Sequence, residues 1–265
     1  MRPSIFWPVV MIAAGLLFLL DNLGWLPGNA WGRLWSIVSI WIGVGMLLRM
    51  RGGALPEAMT DSIPLEGASG ADVTIRYGAG ELRVSGGADS NLLLSGAFSG
   101  GAFKQVRRVG DRLDATLQPP DEAWTRWVWP WAMPPGHRRW RVALNPDVAL
   151  ALTLEVGAAR TELDLANLRV TEVALKTGAS ATELTLPARA GLTRAKIESG
   201  AASVDVRVPE GVAARISGFV GVGALDVDTN RFPSRNGGYE SADFESAANK
   251  VEIKVQSGVG AVKVR

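Results

Sequence analysis

One three-residue phrase returns six times along this chain: Gly78-Ala79-Gly80, Gly157-Ala158-Ala159, Gly178-Ala179-Ser180, Gly200-Ala201-Ala202, Gly221-Val222-Gly223 and Gly258-Val259-Gly260. Four copies, beginning at residues 157, 178, 200 and 221, recur about every 21 residues. Self-similarity at such a period marks stacked units rather than one enclosed core. Four and six residues after each leading glycine from Gly157 on stand Thr161 and Leu163, Thr182 and Leu184, Val204 and Val206, Leu225 and Val227, and Val262 and Val264. Between them lie Glu162, Glu183, Asp205, Asp226 and Lys263. That alternation has period two, the mark of a strand with one buried face. The same rule holds upstream, where Leu152, Leu154 and Val156 alternate with Thr153 and Glu155.

Each copy therefore reads as two short strands meeting at a glycine corner. Glycine suits the corner because it takes positive φ without a Cβ clash, and Ala or Ser lets neighbouring coils stack closely. Pro187, Pro209 and Gly211 punctuate the opposite side of the coils, where a strand has to stop. The expected fold is an all-β solenoid, β-helix-like, with each coil paired in register on the next. In that arrangement residues 250–264 form a terminal strand with an exposed edge, which invites pairing unless something caps it.

The beginning of the chain is built for a different solvent. Residues 5–20 carry no charge, and residues 31–48 carry only Arg33. The two spans of roughly 16 to 18 residues reach about 24 to 27 Å as helices, enough for a bilayer core. Trp7, Trp25, Trp31, Trp35 and Trp41 rim them as an interfacial belt does, and Asp21 to Asn29 supply a polar turn. Residues 1–51 thus read as a two-helix transmembrane hairpin, 52–70 as a linker, and 71–265 as the β-repeat domain. Arg2 precedes the first span and Arg49 and Arg51 follow the second, so the positive-inside bias places both ends, and the β domain, in the cytoplasm of a multi-pass inner-membrane protein.

Composition removes several classes of function. The net charge is +2, too small a field for a nucleic-acid partner. There is no Cys, hence no disulfide and no lipoprotein anchor. The single His, His137, has no second His to complete a zinc site. No nucleophile elbow, phosphate loop or dinucleotide fingerprint occurs, and the glycine phrases precede strands rather than helix N-termini. No catalytic residue, metal ligand or cofactor is expected. The nearest enzyme alternative is a β-helix carbohydrate-active enzyme, which uses exposed acids on a coil face.

One segment breaks the rhythm. Residues 119–140 separate two strand-like stretches, 111–117 and 141–144, and pack Trp124, Arg126, Trp127, Trp129, Trp131, Arg138, Arg139 and Trp140 among prolines that forbid a regular helix. Three readings fit this insertion: a cap over the end of the coil stack, a contact in which tryptophans enter the headgroup layer while arginines meet anionic lipid, or a protein-partner site. A second surface feature is the outward row Glu162, Glu183, Asp205 and Asp226. In register these carboxylates stand about 4.8 Å apart and repel unless a base or a cation such as calcium relieves them.

The opening run Gly15-Leu16-Leu17-Phe18-Leu19-Leu20-Asp21-Asn22-Leu23-Gly24-Trp25-Leu26-Pro27, followed by Trp35 and the apolar 40–48, resembles the transmembrane region of LiaF-like bacterial membrane proteins. The phrases Val208-Pro209-Glu210-Gly211-Val212, Gly221-Val222-Gly223 and Ser257-Gly258-Val259-Gly260-Ala261-Val262-Lys263-Val264 resemble the toast-rack β-repeat domain often joined to it. The resemblance implies a bacterial inner-membrane protein without enzymatic activity and, in one branch, a negative regulator of a histidine kinase in cell-envelope stress signalling. Residues and resemblance together point to a membrane-anchored scaffold or sensor. Its expected partners are the lipid bilayer and a membrane histidine kinase or another envelope protein. The alternative is an adhesin-like module that binds the envelope or membrane surface, which needs the reverse topology.

Overall fold

The computed structural model describes residues 58–120, 138–235 and 237–265. The chain divides into two units, Met1–Gly53 and Ala54–Arg265. Both expected membrane spans lie outside the described residues, as do Trp124, Arg126, Trp127, Trp129 and Trp131.

The described residues are built of strands: β1 (Ala58–Pro64), β2 (Gly70–Gly86), β3 (Leu92–Ser99), β4 (Phe103–Val109), β5 (Arg112–Gln118), β6 (Arg139–Leu144) and β7 (Ala149–Asp164). They continue with β8 (Val170–Thr177), β9 (Ala181–Thr185), β10 (Leu192–Arg207), β11 (Ala213–Val227), β12 (Ser234–Arg235), β13 (Gly238–Glu240) and β14 (Lys250–Val264). The long strands β2, β7, β10, β11 and β14 each run through a glycine phrase, so one strand contributes to two ladders. Before the phrase the order is β4-β5-β2-β7-β8-β10-β14-β11-β13-β12. After it the order is β1-β3-β6-β2-β7-β9-β10-β14-β11. From β2 to β11 every pairing is parallel, as repetition of one coil requires.

Alternation decides what the stack encloses. Leu150, Leu152, Leu154, Leu163, Val173, Leu175, Ala195, Ile197, Val204, Val206, Ile253, Val255, Val262 and Val264 all point inward and are buried. Thr161 and Thr182 occupy inward positions of the same pattern and are equally buried. The interior is one continuous apolar column, the only way units this thin acquire a core.

Four expectations change. Residues 58–64, part of the expected linker, form β1 and pair antiparallel with β3. The terminal strand is not at an edge: β14 pairs with β10 from Leu192↔Lys250 to Val206↔Val264 and with β11 from Ala213↔Lys250 to Val227↔Val264. The spatial order of coils therefore departs from chain order, and the open edge belongs to β11. The interval between Gly78 and Gly157 also contains a coil without a glycine corner. β5 lies beside residues 70–75 of β2, and β6 beside residues 81–86, both parallel. Where β2 turns through residues 76–80, this coil carries the Trp/Arg insertion instead. Finally, the leading glycines serve close approach rather than positive φ. A Cβ on Gly157 would lie 2.5 Å from the Gly78 carbonyl oxygen, and one on Gly221 2.7 Å from that of Gly258. Positive φ falls on the third residue of the phrase, at Gly80, Gly223 and Gly260, whereas Ala159, Ser180 and Ala202 take the same place without it.

Candidate interaction surfaces

The broad outer faces of the stack neutralise themselves. Register places Arg83, Glu162, Glu183, Asp205, Lys263 and Asp226 in one row. Because β14 enters between β10 and β11, Lys263 separates Asp205 from Asp226 and lies 3.6 Å from the latter. Arg83 pairs with Glu162 at 3.2 Å and Arg160 with Glu183 at 3.6 Å, while Arg265 grips the Asp205 carboxylate. The Arg265 hydrogen bond holds the Asp205 pKa below its ordinary value. Bases thus relieve the acidic row where a cation was considered. Among the described residues no group of three or more His, Cys, Asp or Glu side chains converges as a metal site.

A second row, on the ladder before the glycine phrase, runs Arg76, Glu155, Lys176, Glu198, with Arg76 and Lys176 at 3.0 and 3.7 Å from Glu155. A third gathers on Arg215, whose guanidinium reaches Glu240 at 2.6 Å, Glu245 at 2.5 Å and Glu252 at 3.8 Å and lies 4.1 Å over the Phe244 ring. Opposite charges on neighbouring strands stabilise the ladders and leave little net field on the faces.

The roots of the Trp/Arg insertion are well fixed. The Arg138 carbonyl accepts from the Glu81 N–H at 2.9 Å and lies 2.5 Å from the Tyr77 hydroxyl, which also sits 3.0 Å from the Glu81 carbonyl. Burial pushes the Tyr77 phenol up to about 12, keeping it a neutral donor. Arg139 pairs with Glu81 at 2.9 Å and holds that carboxyl below its ordinary pKa. At the other root, a Cβ on Gly101 would lie 3.6 Å from Pro120 and 3.7 Å from Met59, and one on Gly100 3.7 Å from Arg138. Both roots therefore meet at the β3–β4 turn, beside the first residues of β1.

Trp140 corrects the expected contact set. Its side chain is fully buried, 5.1 Å edge-on from Phe98 and 5.3 Å from Tyr77 between ring centroids. It faces the interior at the first inward position of β6 and is unavailable to lipid or partner. Arg138 and Arg139 remain partly exposed.

Two surfaces escaped the sequence reading. All seven residues of β4 are exposed, and the strand mixes Phe103, Val106 and Val109 with Lys104, Arg107 and Arg108. Lys104 crosses to β1, donating to Asp61 at 2.6 Å and to the Ser62 carbonyl at 3.1 Å. The other is β11, where Phe219 and Val222 are 70% and 68% exposed. The even Gly-corner pattern concealed both, since alternation predicts which way a side chain points but not where the stack ends.

Residues 54–207 match the family model described as the N-terminal domain of toast_rack, DUF2154. Residues 5–47 match the LiaI-LiaF-like transmembrane region, which covers nearly all of both expected spans. Among solved structures, a candidate cell adhesion protein from Clostridium sporogenes superposes with a TM-score of 0.70 at 19% identity, over 79% of this chain and 98% of that one. At that identity the likeness is one of fold. A candidate adhesin from Bacteroides fragilis aligns at 10% identity over 80% of this chain and 100% of that one, with a TM-score of 0.19, and carries no argument. No curated protein matches the chain.

Proposed function

The chain belongs to the toast-rack family, and on that premise we propose that it is a non-enzymatic scaffold or sensor of the bacterial inner membrane. Its LiaI-LiaF-like region anchors it, with the β domain on the cytoplasmic side. There it modulates envelope-stress signalling by engaging a membrane histidine kinase or another envelope protein, and the Trp/Arg insertion rests in the headgroup layer. The observation that carries this reading is the placement of the insertion. It connects β5 to β6, the strands of the coil that lacks a glycine corner, and its described roots, Pro120 and Arg138, meet at the β3–β4 turn beside β1, the first described strand. Tryptophan and arginine at that place suit an interface of apolar depth and anionic headgroups. The charge-balanced faces suit a scaffold, since acids of the outer rows are paired with bases on neighbouring strands.

Because the chain has no native Cys, a single Thr125→Cys bearing an environment-sensitive fluorophore tests the lipid contact in the full chain. Emission should shift to the blue when anionic lipid is added to nanodiscs, and replacing Trp127, Trp129 and Trp131 with Ser should abolish the shift. Emission indifferent to lipid composition would overturn the contact. Topology is tested by alkaline phosphatase fused after Arg265: an active fusion would put the domain outside and favour the adhesin-like surface module. Crosslinking in native membranes that captures a histidine kinase would support the signalling role, and capture of envelope polymer instead would replace it.

A further inference from the structure

We propose that residues 217–226 of β11 are a self-pairing edge, through which two copies of this chain join as an antiparallel, two-fold dimer. β11 pairs with β14 along its whole length on one side. On the other side β13 covers only Arg215 and Ile216, so residues 217–227 have no strand partner on that flank among the described residues. The edge is apolar and open: Phe219 is 70% exposed, Val222 68%, and Val259, in register with Val222, 52%.

The other strands that end a ladder carry devices that discourage pairing. β4 has Lys104, Arg107 and Arg108, β1 has Asp61 and ends at Pro64, and β12 is two residues long. Between Arg215 and Asp226, β11 has no charge and no proline. An unprotected edge of this length among protected ones is the mark of a used surface.

The occupant follows from closure. A head-to-tail neighbour would need a matching open edge at the far end of the coil stack, but the strands that end the ladders there are β4, with Lys104, Arg107 and Arg108, and β1, with Asp61 and Pro64. A two-fold pairing of β11 with itself needs no second kind of surface, and it closes. In a register centred on Val222, Phe219 faces Leu225 of the second copy, Gly221 faces Gly223, and Asp226 faces Gly218. No like charges meet, and small residues at the centre let the backbones approach. Ten residues on each side bury several hundred Å² in all, on the order of half the ~1,200 Å² of a stable free dimer. The pairing is therefore weak in solution and effective where the transmembrane region confines copies to a membrane plane.

Single cysteines placed in this Cys-free chain at Val222, Phe219 and Leu225, with Val109→Cys on β4 as control, would be oxidised in the full protein reconstituted in bilayers. The expected result is a disulfide dimer dominated by Val222→Cys, nearest the two-fold axis, weaker at the flanking sites and at background for Val109→Cys. A Val222→Lys change puts a charge on the edge without touching the core, so it should abolish dimerisation with the melting temperature unchanged. Crosslinking at β11 no greater than at Val109, or crosslinking of β11 only to a foreign protein, would overturn the proposal. Neither outcome depends on the lipid contact or the topology proposed above.

Discussion

Trp140 shows how one side chain can be misassigned when its neighbours are chemically alike. It ends a run of exposed-looking tryptophans, yet alternation with Val142 and Leu144 already puts it on the inward face of a strand, and all three are buried. Its indole Nε1 has no acceptor among the described residues, a deficit of about 1–3 kcal/mol for a buried donor. Trp140→Phe sheds that deficit and keeps most of the packing, so chemical denaturation should show a loss of only about 1–2 kcal/mol, whereas Trp140→Ala should lose about 3–5 kcal/mol. Equal losses would mean that the ring's volume does not matter at this site. Tyr77 makes a second residue-level test. The chain has two tyrosines, so in a Tyr239→Phe variant the tyrosinate absorbance reports Tyr77 alone. Its phenol is raised to about 12 by burial, so the contribution to stability is complete below the ordinary pKa of about 10 and declines as pH climbs from there toward 12. The absorbance should stay flat through pH 10 and rise only near 12 or together with alkaline unfolding.

At the level of elements, the glycine phrase divides its labour among its positions. From Gly157 on, the leading glycines form a column in which each lacks a side chain because the neighbouring coil's carbonyl occupies the space, whereas a Cβ on Gly78 would meet nothing within 4 Å. The clearance varies: 2.5 Å at Gly157 but 3.2 Å at Gly200. Gly157→Ala must push backbone against backbone and should cost about 1–3 kcal/mol, with Gly200→Ala costing distinctly less; thermal melts of the two variants check the order. Sequence periodicity found this column and its two flanking strands, because both leave a trace in residue type. It assigned positive φ to the leading residue, since a lone glycine advertises freedom and proximity alike. The ion-pair rows were legible only in part. Alternating Glu and Asp marked an outward face, but Lys263 could be placed between Asp205 and Asp226 only once β14 had been placed between β10 and β11. The carboxyls of Asp61, Glu81, Asp205 and Glu240 all sit below their ordinary pKa, each chiefly through a hydrogen bond from a base. Groups with depressed folded pKa stabilise above the unfolded value of about 4 and lose that contribution as pH falls through the folded one. The melting temperature should therefore hold from neutrality to about pH 5 and drop below about pH 4. Asp205→Asn should flatten part of that drop, and an unaltered acid profile would remove Asp205 from the account.

For the whole molecule, the decisive departure from a simple repeat is the position of the last strand. A stack assembled in chain order tolerates loss of its final coil, because each unit touches only its neighbours. Here β14 joins β10 to β11, and Arg265 extends that junction through backbone bonds to Val206 at 3.0 Å and from Val208 at 2.7 Å. No local pattern encodes this insertion: residues 250–264 have the same alternation as every other copy, so their place is set by long-range register and by the 228–249 excursion that leads back into the stack. Phe232 and Phe244 are buried within that excursion, and Arg215 ties it to β11 through Glu240 and Glu245. Deleting residues 250–265 should thus release β11, β12 and β13 together rather than trim an end. Limited proteolysis of the truncated chain should cut within residues 213–240 while β2, β7, β8 and β10 stay protected. A truncated chain that resists cleavage throughout would mean that β11 can seat directly on β10, closing the gap that β14 fills.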